Sequence, residues 1–199
     1  MTTGFRRSRG GGAHAHLEAV EARMLASLAA QLVELLRDGA AASAVDVDAG
    51  DPLATMVGMG ASGPLPRPDD PVLRRLLPDA YPDDEQESSD FRRYTEPGLR
   101  DRKSDDAAAL ITSLLESGVD LDAVDETSTP ADVELDATAV AAWLRCLTDL
   151  RLALGARLGV EQDDEDRWEM MPDDEPAKAM HDVYEWLAFL QETLLRTQR

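Results

Sequence analysis

The stretch "DATAVAAWLRCLTDLRLALGARLGV", residues 136–160, constrains the fold more than any other part of the chain. Val140, Trp143, Leu144, Leu147, Leu150, Leu154 and Leu158 fall within a stripe roughly 120° wide at about 100° per residue, which is the pattern of an amphipathic helix. Leu152 lies on the other side, so burial on more than one face is expected. Asp136 stands where a helix cap belongs. A helix buried that way needs several helical neighbours.

The rest of the chain offers them. From Leu17 onward, Val20, Met24, Leu28, Leu32, Leu35 and Leu36 recur at helical spacing until Gly39 offers a stop. Asp51 and Pro52 read as the cap and first residue of a short helix. Asp70, Pro71 and Pro78 frame another around Val72, Leu73, Leu76 and Leu77. Pro97, with Glu96 near the positive end, predicts a new helix running through Leu99, Ala107, Leu110, Ile111, Leu114 and Leu115 to Gly118. Pro176 opens a last helix carrying Met180, Val183, Trp186, Leu187, Leu190 and Leu194.

At the start of the chain, "FRRSRGGGAHAHL" reads as two short extended pieces about a glycine turn, with Ala13, Ala15 and Leu17 alternating against His14 and His16. The fold class expected is mainly α: a bundle of about four long helices plus short connecting helices, with a small N-terminal β-hairpin or arm. Residues 1–199 form one domain in this reading, with 1–16 as the arm and 39–70, 119–135 and 161–175 as loops.

Composition narrows the class of function. Aromatic residues are only 5% of the chain, so the core must be aliphatic. Forty acids against twenty bases give a net charge of −20, whose long-range field repels phosphate and anionic lipid. Unaided specific DNA binding is therefore not expected, and a protein is the more plausible partner. Cys146 is the lone cysteine, which excludes an intramolecular disulfide and suits the cytoplasm. No apolar run reaches the roughly 18 residues of a membrane span, so the chain reads as neither exported nor embedded.

"SDFRRYTEPGLRDRKSDD", residues 88–105, places Arg92, Arg93, Arg100, Arg102 and Lys103 together in this acidic chain. With Leu99 at 0° on its helix, the core direction lies at about 50°. Lys103 at about 40° and Arg100 at about 100° point inward, and Arg102 near 300° points away. One reading has the stems of Arg100 and Lys103 cover the edge of the core while their heads form ion pairs with acids on a neighbouring helix. Arg151, inside the apolar stripe of the Trp143 helix, belongs with them. The sharper reading makes Arg92, Arg93 and Arg102 a basic notch, joined by Arg6 and Arg7 of the N-terminal arm, that grips carboxylates of a partner.

Catalytic and metal chemistry find little support. With only His14, His16 and His181, no serine or cysteine has an evident base and orienting acid, so no enzyme is expected. His14 and His16 alone do not make a metal site, and Asp163 to Asp166 lack the pattern of a calcium loop. Gly10 to Gly12 read as a turn, and no cofactor is implied. Cys146, at the flank of the stripe, reads as a small buried thiol, with a redox-sensitive thiol as the alternative.

Three blocks, "FRRYTEPGLRDRK", "AAWLRCLTDLRLALGARLGV" and "YEWLAFLQETLL", together with the opening "FRRSRGGGAHAHLEAVEARML", resemble the actinobacterial AosR-like oxidative-stress regulator family, catalogued as a domain of unknown function. The resemblance covers nearly the whole chain. It implies a cytosolic regulator that acts with a stress-responsive sigma factor and RNA polymerase to raise transcription of cysteine-biosynthesis genes. It also implies, for that branch, an intramolecular disulfide as oxidation switch, which a lone Cys146 cannot form. This member then either senses nothing itself or oxidises through an intermolecular disulfide or another adduct at Cys146. Alternatives from other classes are an adaptor for a cytosolic protease, or a homodimer built on the Trp143 helix.

Overall fold

The computed structural model describes residues 3–8, 10–44, 65–121, 129–162 and 164–199. Among the described residues three strands, β1 (Thr3–Arg7), β2 (Ala13–Leu17) and β3 (Ala131–Leu135), accompany six helices. These are α1 (Ala19–Ala44), α2 (Pro71–Leu76), α3 (Glu85–Glu116), α4 (Ala137–Leu158), α5 (Glu165–Glu169) and α6 (Pro176–Arg196). The fold is mainly α with a small antiparallel sheet in the order β1-β2-β3. The short helix expected from Asp51 and Pro52 lies outside the described residues.

Polar caps set where the helices begin. The Asp70 carboxylate accepts hydrogen bonds from the Val72 and Leu73 N–H groups, with Pro71 in the first turn of α2. Asp136 accepts from the Ala139 N–H at the start of α4, and Gly159 ends that helix in the left-handed conformation. Two helix boundaries differ from the sequence expectation. α1 continues through Gly39 to Ala44, and Val20 is on its exposed side. α3 runs unbroken across Pro97 instead of starting there. Pro97 removes the N–H that would bond the Arg93 carbonyl, and tertiary anchors on both sides of it hold the helix together.

The sheet exists because alternation at both ends of the chain buries one face. Ala13, Ala15 and Leu17 of β2 lie opposite Leu135, Val133 and Ala131 of β3, and all six are buried. The 119–135 stretch is thus not a loop throughout: its end is β3. One residue separates β2 from α1 and β3 from α4, so the sheet sits at the N-terminal ends of both helices. The expected arm is likewise part of the core. Phe5 of β1 packs edge-on against Trp143, ring centroids 5.4 Å apart, and its N–H donates to Thr193 Oγ1 of α6.

α4 is the centre of the bundle, packed against α2, α3 and α6 and more lightly against α1. Val140, Trp143, Cys146, Leu147 and Leu150 are buried there, so it is covered on more than one side. α1 packs mainly along α3.

The hairpin turn gives a first prediction. Gly10 and Gly11 have φ of 94° and 90°, which favours glycine. Gly12 is needed for a different reason: a Cβ there would lie 2.2 Å from the Leu135 carbonyl oxygen of β3. Gly12→Ala must push β2 and β3 apart and should cost about 1–3 kcal/mol, as overpacking does, read as a lower urea midpoint. An unchanged midpoint means the strands do not approach this closely.

Candidate functional site

The basic stretch does not form one patch. Arg92, expected at the partner notch, is an interior residue at 4% exposure. Its Nε donates to Asp79 Oδ1 at 3.2 Å, Nη1 donates to the Leu65 carbonyl at 2.5 Å, and Nη2 lies 3.0 Å from Asp79 and 3.3 Å from Glu85. The acidic segment between α2 and α3 folds back over it, and this removes Arg92 from any exposed notch. Arg93 is half-buried, with its guanidinium 4.5 Å from the centre of the neighbouring Tyr94 ring. Arg102 is exposed on α3.

Two other cations of the stretch point inward. Arg100 Nε donates to Glu96 Oε1 at 2.8 Å, one turn earlier, and Nη1 donates to the Leu36 carbonyl of α1 at 2.7 Å. Both members of the pair are at 5% exposure or less, so they clamp α3 onto α1 from inside the bundle. Lys103 Nζ donates to Asp149 Oδ1 of α4 at 2.6 Å. Arg151 departs from the interior ion pair expected of it: its Nη1 donates to the Gln191 amide oxygen at 2.8 Å, and its guanidinium stacks over Tyr184 of α6. A neutral amide and a ring replace the carboxylate because α6 presents those groups to that side of α4.

Arg6 and Arg7 are also apart from the α3 cations. Arg6 stands on the outer face of the sheet beside His14 and Glu134, and Arg7 donates to the Arg199 carbonyl. On that face His16 Nδ1 is 2.7 Å from Asp132 Oδ1. Among the described residues no group of three or more His, Cys, Asp and Glu side chains is arranged to hold a metal ion.

What the structure does bring together is a cleft of about 430 Å³ between α2, α3 and α4. Leu76, Pro78, Leu99 and Leu152 form its apolar part. Arg145 grips Asp106 through two parallel bonds, Nε to Oδ2 at 2.7 Å and Nη2 to Oδ1 at 2.6 Å. Lys103 and Asp149 form the second internal pair. Arg75 of α2 and Arg102 of α3 complete the lining, both exposed. Arg75 and Arg145 were beyond the sequence reading, because only the docking of three separate helices sets them beside Arg102.

Cys146 lies behind this cleft, fully buried on α4. Burial pushes its thiol up to about 12, with the Asp149 and Asp106 carboxylates adding in the same direction. The reactive species is the thiolate, so burial and the two carboxylates both disfavour the reactive form of Cys146, and slow reaction in the folded chain is expected. Ellman's reagent should leave the native protein unmodified and titrate one thiol after denaturation. Rapid modification of folded protein would restore Cys146 as a sensor.

The family described as "Domain of unknown function (DUF2017)" matches residues 2–198. The chain is 32% identical over 188 residues to the oxidative stress regulator AosR of Mycobacterium tuberculosis, covering 88% of this chain and 77% of that protein. The same values hold for the oxidative stress regulator AosR of Mycobacterium bovis. No solved structure matches the chain. With a family match across nearly every residue and regulators of this similarity along most of the length, the chain belongs to the DUF2017 family as an AosR-like member.

Proposed function

We propose that this protein is a non-enzymatic transcription regulator of the stress response, working in the cytoplasm through protein contacts with RNA polymerase or a stress-responsive sigma factor. The observation that carries the reading is its similarity, along 88% of the chain, to proteins named oxidative stress regulators. The charge supports contact with protein over contact with promoter DNA. A net charge of −20 opposes the phosphate neutralisation on which DNA affinity rests. No helix among the described residues is long and apolar enough to cross a membrane. The buried Cys146 favours a member whose oxidation signal arrives through its partner and not through its own thiol.

Capture of the tagged protein from extract of its own cells, followed by identification of what comes with it, tests the reading. Polymerase subunits or a sigma factor are expected. Protease subunits in their place would favour an adaptor, and only its own copies a homodimer. Purified protein alone should give no sequence-specific gel retardation at physiological salt.

A further inference from the structure

We infer that the cleft between α2, α3 and α4 is a docking site for an acidic amphipathic helix of a partner protein. The inference deepens the proposed function and rests on its premise that the chain works through protein contacts. Its starting point is an imbalance of charge. Acids outnumber bases two to one in this chain, and Arg92, Arg100, Lys103 and Arg145 are each paired with at least one. Arg75 and Arg102 have no ionic partner among the described residues, although they are exposed on the same cleft.

The order of groups in the cleft selects the occupant. Two of its cations, the largely covered Lys103 and the exposed Arg145, are already neutralised by Asp149 and Asp106. A compact polyanion such as phosphate would have to approach those two carboxylates to reach them. A helix with leucines along its centre and glutamates at its margins meets Leu99 and Leu152 with the first and the two free guanidiniums with the second. Arginine suits that task because its planar fork holds a carboxylate through two parallel bonds. The attraction survives the net negative charge of the chain, since charges farther away than roughly 8 Å are screened at physiological salt.

The probe is a fluorescein-labelled synthetic peptide built from alternating leucine pairs and glutamate pairs, titrated with the full chain and followed by fluorescence anisotropy. Saturable binding that weakens with salt is expected. Arg75→Glu and Arg102→Glu should each weaken it by about tenfold or more, as like charges brought together at an interface do. Both residues are exposed, and an unchanged thermal melt identifies variants that fold. Leu152→Ser should weaken binding without changing the salt dependence, and a lysine-for-glutamate peptide should not bind. Absence of binding, binding by both glutamate variants as tight as that of the unmodified chain, or displacement of the peptide by inorganic phosphate overturns the assignment. Capture from extract separates it from the wider reading. If a chain carrying both Arg75→Glu and Arg102→Glu retains polymerase subunits as the unmodified chain does, the cleft assignment fails and the regulatory reading stands. If the unmodified chain captures none, the regulatory reading fails, and the peptide titration still decides whether the cleft binds acidic helices.

Discussion

Replacing Arg100 by alanine should destabilise the folded chain by about 3–5 kcal/mol, the range for removing one partner of a buried ion pair. Glu96, at 3% exposure, would lose its arginine, while its second oxygen already has no hydrogen-bond partner. The Leu36 carbonyl would lose the guanidinium that now bonds it. For a chain of this size each kcal/mol moves the melting temperature by roughly 2–4 °C, so a fall of about 10 °C is expected by circular dichroism. The cost comes from the orphaned carboxylate more than from the lost attraction. The double variant Arg100→Met with Glu96→Leu should therefore regain most of the loss. A single variant that melts with the unmodified chain would show that water reaches Glu96. A double variant as unstable as the single would show that the α1–α3 contact needs the pair itself.

That Arg100 turns inward was legible in the sequence, whereas its partner Glu96 on the same helix and the burial of Arg92 were not, and the difference has a physical basis. The 100° step of a helix separates Arg100 and Lys103, on the core side of Leu99, from Arg102 on the other, and the structure has Arg100 and Lys103 directed inward and Arg102 exposed. Such a wheel describes one helix and knows nothing of the chain that precedes it. Arg92 is buried by Asp79 and Leu65, which arrive from the segments around α2. Pro97 misleads for a related reason. Local propensity places a helix start there, yet Arg92 on one side and Arg100 on the other fix α3 to its neighbours, and packing outweighs one missing backbone bond. In β3, Ala131, Val133 and Leu135 do alternate with Asp132 and Glu134, a signal that was present but only five residues long. Its partner β2 lies more than a hundred residues earlier, and pairing over that distance leaves no local mark. The Trp143 helix is the opposite case: its pattern is long, and burial follows the pattern.

Lys103→Met should produce a stability loss that depends on pH in a direction fixed by Asp149. Burial raises the Asp149 pKa above the ordinary carboxylate value, while the bond and charge of Lys103, and the charge of Arg145, pull it down. Taking Lys103 away removes the largest of the opposing influences, so the carboxyl rises further. A folded-state pKa above the unfolded one means that the native state holds the proton more tightly between the two values. Stability then falls as pH rises through that window and is regained as pH falls. Near pH 7 the variant carries an unpaired carboxylate at 4% exposure, which should cost about 3–5 kcal/mol. As the pH is lowered, the raised pKa lets the folded state take up a proton at Asp149 first, so the deficit should be smaller when measured at about pH 5 than at pH 7. Urea midpoints of variant and unmodified chain at both pH values measure this, and taking their difference cancels the titration of the other acids. Lys103→Met combined with Asp149→Leu removes the titrating group, so its difference from the unmodified chain should lose that extra pH dependence. An equal deficit for Lys103→Met at both pH values would mean that Asp149 keeps its charge by reaching Arg145 or solvent, and the inner wall of the cleft would then be wetter than its geometry implies.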